Sequence, residues 1–152
     1  MKCTFYRYFQ FFIDGNNVLH LAAKNDASNV SRVLFTESQV DPKLKNAKGK
    51  TFLHLVSFFG EENAVDQFNA LLEAFPDYPI NEQDLDGNIP LFIAYQQGQA
   101  ALCVALAKAG SILAQSNNEG LNIFNLEAAS QRFISKPYLI LKMTTNLNSS
   151  II

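Results

Sequence analysis

His20 and His54 are the only histidines in 152 residues, and Cys3 and Cys103 are the only cysteines. Side chains of these two types carry most metal binding and much nucleophilic catalysis in proteins. A structural zinc site needs four convergent ligands, and no carboxylate or cysteine pair stands at ligand spacing beside either histidine. A cysteine nucleophile needs a base in contact, yet both histidines belong to other segments than Cys103. Cys103 therefore reads as a small core hydrophobe, and Cys3 lies in a stretch without a legible pattern. The chain has no G-x-x-x-x-G-K-[ST] phosphate loop, and Gly98 and Gly110 read as helix boundaries rather than a nucleotide cradle. No catalytic residue, cofactor site or metal site is expected, and the sequence reads as non-enzymatic.

The spacing of the histidines is more informative than their chemistry. They stand 34 residues apart, as do Gly15 and Gly49, and Gly87 and Gly120 extend the series at intervals of 38 and 33. After each glycine a short pattern returns: DGNNVLHLAA from 14, KGKTFLHLVS from 48, DGNIPLFIAY from 86 and EGLNIFNLEA from 119. A glycine before the pattern permits the positive φ of a tight turn. Asn17, Thr51 and Asn122 follow at a position suited to capping a helix, and Pro90 suits a first helical turn. Leu19, Leu53, Leu91 and Phe124 then begin an apolar stripe that Leu21, Leu55, Ile93 and Leu126 continue. Gly60 and Gly98 read as the ends of first helices. Helical spacing resumes in Val30, Val33 and Leu34, in Ala64, Phe68, Leu71, Leu72 and Phe75, and in Leu102, Leu106 and Ala109. One such helix pair cannot bury its apolar face alone, so neighbours must stack.

This pattern resembles the ankyrin repeat, whose signature is G-x-T-P-L-H-L-A-A. The resemblance covers about residues 14–130 and implies an all-α solenoid of helix-turn-helix units with finger loops, three full repeats and one partial. The repeat domain is placed at 13–132, with repeats at about 14–46, 47–84, 85–117 and 118–132. Departures are Ile89 at the threonine place, Phe92 and Asn125 at the histidine place, and about four extra residues placed near Ala74–Ile80. The resemblance gives structural roles to Gly15, His20, Gly49, Thr51, His54, Gly87, Pro90 and Gly120, with the histidines bonding between neighbouring repeats. Residues 98–125 further resemble the last repeats of endosomal ankyrin-repeat proteins that end in a zinc-binding FYVE domain. That implies a Rab GTPase or endosomal machinery as partner of a longer protein. It also implies a cytoplasmic location, peripheral on endosomes through the rest of that protein. Two cysteines and two histidines cannot supply the eight FYVE metal ligands, so phosphoinositide binding does not carry over. The aromatic-rich start (1–12) and the tail (133–152, loosely ordered by composition) fit neither pattern, as a truncated isoform or an imperfect gene model would explain.

Composition narrows the function classes. Apolar residues make up 48% and charged residues 17%, against the roughly 25% charged typical of soluble domains; the shortfall suggests that some surface meets protein. A net charge of −2 disfavours general nucleic-acid binding. Gly87 to Ala107 is uncharged and long enough to span a bilayer, but its central amides and Pro90 make that costly, so no transmembrane segment is expected. Lys43, Lys45, Lys48 and Lys50 crowd one finger, and Glu73, Asp77, Glu82, Asp84 and Asp86 the next. Adjacent fingers lie roughly 10 Å apart, about one Debye length at 0.1 M salt. They read as solvated fingers that partly neutralise each other, with a lysine patch for an acidic partner or anionic headgroups as the other reading.

The expected binding surface centres on Phe58 and Phe59, two residues at the end of a first helix where the family commonly meets its partners. Consecutive helical residues point about 100° apart, so at least one ring should be exposed, beside Lys48 and Lys50. Gln96 and Gln97 hold the same place in the third repeat. Burial of both rings beneath the 74–80 loop is the competing expectation. The sequence thus reads as a non-catalytic protein-binding scaffold, with purely architectural spacing of other domains as the alternative. A concave face without apolar side chains would favour the spacer.

Overall fold

The computed structural model describes residues 13–126; the readings of 1–12, 127–132 and 133–152 lie outside the described residues. The chain divides into two compact halves, Met1–Pro79 and Ile80–Ile152. After a 3-10 turn at Ile13–Gly15, the first half contains α1 (Val18–Lys24), α2 (Ser28–Glu37), α3 (Phe52–Phe59) and α4 (Ala64–Ala74). The second contains α5 (Pro90–Gln97) and α6 (Ala100–Lys108), followed by a turn over 123–125. The described residues include no strand. They form three helix pairs and the start of a fourth repeat.

The caps explain why the helices begin where they do. Asn17 accepts the His20 N–H at 3.0 Å, and the His20 ring accepts the Asn17 N–H at 3.0 Å. Thr51 and His54 form the same reciprocal box at the start of α3. The third repeat replaces both partners with apolar residues: Ile89 and Phe92 are each 2% exposed, and Pro90 opens α5. The box bonds join side chains to backbone N–H groups, so their loss must be met by the backbone: the Phe92 N–H donates to the Ile89 carbonyl at 3.1 Å, and Pro90 has no N–H to satisfy. The fourth repeat restores the box with an amide, Asn125 Oδ1 accepting the Asn122 N–H at 2.7 Å.

In the first half α1 packs on α3 and α2 on α4. Leu19, Leu53, Val56, Phe68 and Leu71 are at most 1% exposed, and burying each such side chain contributes about 1.5–3 kcal/mol. Phe35 meets Phe52 and Phe75 edge to face at 5.2 and 5.7 Å. The second half buries Leu91, Tyr95, Leu102, Cys103, Leu106 and Ile123.

Several apolar residues of the expected stripes lie outside the core. Val30 and Val33 are exposed, and Ser28, Ser31 and Phe35 are the buried residues of α2. The reason is a polar seam between α2 and α4. Ser31 Oγ donates to Gln67 Oε1 (3.0 Å), Gln67 Nε2 donates to Asp26 Oδ1 (2.9 Å), and Asp26 Oδ2 accepts the Asn63 N–H (3.0 Å). Arg32 flanks the seam, pairing with Asp66 and, at 3.4 Å, with Glu73. Its hydrogen bond and charge hold the Asp66 carboxyl below its usual value. Ala109 is also exposed, as is Phe124, whose neighbour Ile123 takes the core place.

The four extra residues of the second repeat are spread along it rather than gathered at 74–80. Helices α3 and α4 are each one residue longer than α1 and α2, and their connecting turn and the following loop each gain one. Gly98 ends α5 in the left-handed conformation (φ 76), but Gly60 does not (φ −61). Gly60 is needed for a close approach: a Cβ there would meet the Val56 carbonyl oxygen at 2.4 Å and the Ala64 Cβ at 2.6 Å. The uncharged run from Gly87 is broken by Gly98 into α5 and α6, and no helix among the described residues is long and apolar enough to cross a membrane.

Candidate protein-binding groove

Three fingers share one turn, built by an Asn or Asp three residues before the glycine. Asn46 Oδ1 accepts the N–H groups of Lys48 and Lys50, both at 3.0 Å. Asp84 does the same for Asp86 and Asn88, and Asn117 for Glu119 and Leu121. The repeat glycines Gly15, Gly49, Gly87 and Gly120 all have φ between 69 and 78, which a side chain would resist. Neighbouring fingers within each half are joined by backbone and amide bonds. Ala47 N–H donates to the Asp14 carbonyl (3.0 Å) and Asn46 Nδ2 to Asn16 Oδ1 (2.9 Å). In the second half Asn118 N–H donates to the Asp86 carbonyl and Asn117 Nδ2 to Asn88 Oδ1, both at 3.0 Å. The residue before each glycine (Asp14, Lys48, Asp86, Glu119) is exposed.

His20 links the first cap to the second finger. Because Nδ1 accepts the Asn17 N–H, Nε2 carries the proton and donates to the Lys50 carbonyl at 2.9 Å. The ring is 1% exposed, and burial pushes its pKa below the ordinary 6.5, against the opposing effect of that carbonyl. His54 is fully buried, with Nδ1 3.1 Å from the Thr51 N and 2.8 Å from Thr51 Oγ1. The histidines serve separate helix caps, and among the described residues no three His, Cys, Asp or Glu side chains are grouped to hold a metal ion.

A pH dependence follows from the buried imidazole. Below pH 6.5 the unfolded chain takes up a proton at His20 that the folded chain refuses. Stability is therefore complete above that pH and falls as pH drops from 6.5 toward the lower folded value. Urea midpoints should decline between about pH 7.5 and about pH 5, with a shallower decline in His20→Asn. Equal slopes in the two proteins would remove His20 as the cause.

Phe58 and Phe59 end α3 at 45% and 38% exposure, their rings edge to face with centroids 4.7 Å apart. Burial beneath the 74–80 loop does not occur, because that segment packs elsewhere: Phe75 meets Phe35, and Tyr78 Oη donates to the Pro42 carbonyl at 3.2 Å. The ring pair borders a groove of about 190 Å³, with Leu55 beneath and Lys24, Lys48, Lys50, Asn46, Asp14 and Asn16 around it. The Lys24 ammonium stands 5.5 Å from the Phe59 ring centre. Phe58, Phe59, Lys48 and Lys50 are thus brought together. Gln96 and Gln97 are exposed in the second half, where Gln96 borders a groove with Asp86, Asn88, Asn117, Asn118 and Glu119.

Lys24 and Asn46 were not among the expected groove residues. Asn46 was legible, since the Asn/Asp residues 46, 84 and 117 repeat at the same intervals of 38 and 33 as the glycines. The acidic cluster is also less available than its sequence implied: Asp84 is 6% exposed and committed to its turn, and Glu73 pairs with Arg32.

The paired helices, the capped T/N-x-x-H starts and the glycine-turned fingers are those of an all-α ankyrin-repeat fold. Residues 13–56 match the family model described as ankyrin repeats (many copies). Over 106 residues, 70% of this chain, it is 41% identical to Rabankyrin-5 of Homo sapiens and 40% identical to Rabankyrin-5 of Mus musculus. The chain spans 9% of the length of each of these relatives. Ankyrin repeats are a non-catalytic fold for protein–protein interaction.

Proposed function

We propose that this chain is a protein-binding segment of an endosomal membrane-traffic scaffold, and that it holds its partner at the Phe58–Phe59 groove. The observation that carries this reading is the exposure of two adjacent aromatic rings at a helix end, inside a polar rim. Aromatic anchors surrounded by polar residues are the usual composition of binding hot spots. An architectural spacer needs no such rings, which weighs against that alternative. The endosomal setting, and a Rab GTPase as partner of the longer protein, come from the likeness to Rabankyrin-5. In purified form the chain should capture a partner from an endosome-enriched extract, identified by crosslinking. Phe58→Ala or Phe59→Ala should weaken that capture more than about tenfold, the loss of one hot-spot anchor, with melting unchanged. Capture intact in both variants, or both variants unfolded, would overturn the reading.

A further inference from the structure

We infer that the Phe58–Phe59 groove selects an acidic polypeptide segment, an apolar side chain flanked by Asp or Glu. This deepens the proposed function and rests on it for the groove's being a binding site. Three lysines (Lys24, Lys48, Lys50) and one carboxylate (Asp14) border the groove. Neither Lys24 nor Lys48 is in a salt bridge among the described residues. The second half supplies an internal comparison. Its groove is framed by repeat-equivalent positions, yet among the described residues it carries Asp86, Glu119 and amides with no cation. Groove for groove, Asp14 corresponds to Asp86, Lys24 to Gln96 and Lys48 to Glu119, each counted from its repeat glycine. The first groove therefore carries lysine at two places where the second carries an amide and a carboxylate, and in sequence its Phe58 and Phe59 answer to Ala129 and Ser130 of the fourth repeat.

That combination fits a polypeptide better than a small anion. A volume of about 190 Å³ is below the roughly 300–1,000 Å³ of small-molecule pockets and suits a single anchoring side chain. Exposed aromatic surface is of little use to a strongly hydrated phosphate, but it can cover an apolar side chain while the lysines meet carboxylates on either side. The Lys24 ammonium over the Phe59 ring places charge and apolar surface within one residue's reach. Charge complementarity of this kind mainly sets partner choice and association rate, so binding should weaken with added salt.

The test uses the full chain and a fluorescein-labelled peptide with a central Phe-Leu pair flanked by Asp and Glu, read by fluorescence anisotropy. A matched peptide with Lys replacing the acidic residues, inorganic phosphate as competitor, and phosphatidylserine vesicles complete the set. The acidic peptide should bind and the basic one should not. Lys48→Glu should weaken the acidic peptide roughly tenfold, whereas Lys108→Glu, the same charge change at the exposed end of α6, should alter it less than about twofold. Equal losses in the two variants would reduce the effect to net charge and overturn the inference. Equal binding of both peptides, displacement by phosphate alone, or Lys48-dependent vesicle binding without peptide binding would overturn it too. If Phe59→Ala abolishes capture of the natural partner while Lys48→Glu leaves it intact, the acidic specificity fails and the groove's binding role stands. If neither variant affects capture, both fail.

Discussion

Gly60→Ala is expected to destabilise the protein by about 3 kcal/mol, at the upper end of the overpacking range. A methyl at this position cannot be accommodated by a rotamer change, because its nearest neighbour is a backbone oxygen, Val56 O, at 2.4 Å. The same atom accepts the Gly60 N–H at 2.8 Å and holds the end of α3. Moving it loosens the helix end that carries Phe58 and Phe59. Gly98 is the control, since it holds the same place eleven residues after its repeat glycine. A Cβ at Gly98 meets nothing within 4 Å, but the backbone is left-handed, so Gly98→Ala should cost only the conformational strain of about 1–2 kcal/mol. Urea unfolding of both variants checks the order. A Gly98→Ala loss larger than that of Gly60→Ala would show that backbone strain, not close approach, governs these turns.

The second large effect is expected at His20. Substitution by alanine leaves the Asn17 N–H without its partner, a buried orphan costing about 1–3 kcal/mol. It also takes one hydrogen bond, worth about 1 kcal/mol, from the Lys50 carbonyl, which keeps the Asn46 N–H at 2.9 Å. A total near 2–4 kcal/mol is expected by the same reasoning. His20→Asn should recover roughly half, because Asn125 shows in the fourth repeat that an amide oxygen can accept the cap N–H. An amide is too short to reach the finger as well. His54→Ala should cost about 1–3 kcal/mol through the Thr51 N–H. Unchanged urea midpoints in both alanine variants would show that the caps are dispensable.

The repeat architecture was legible because glycine, cap and histidine recur in register, and the energetic reasons for each are local. A glycine before a cap is readable without knowing what packs above it. That at least one of Phe58 and Phe59 is exposed was legible for a similar reason, since adjacent helical positions cannot share one face; that both are exposed was not. What escaped was set by neighbours distant in sequence. Val30 and Val33 look like a core stripe, but the α2–α4 seam is filled by Ser31 and Gln67, and no periodicity within α2 announces a hydrogen-bond partner 36 residues away. Gly60 resembled a left-handed cap because the sequence gives its position and not its φ. Lys24 holds in the first repeat the place that Phe58 holds in the second, nine residues after the repeat glycine, and the packing of α1 on α3 brings the two to one groove.

The amide-bonded fingers have an evolutionary consequence. Their fold is secured by side chains set back from the tip and by main-chain bonds, so the residue just before each glycine has no structural duty in common: aspartate, lysine, aspartate and glutamate occupy it in turn. Such a position can drift in charge without a folding penalty, and one codon change reverses the local field above a groove that itself stays the same. Partner preference can then diversify between repeats faster than the scaffold that presents them.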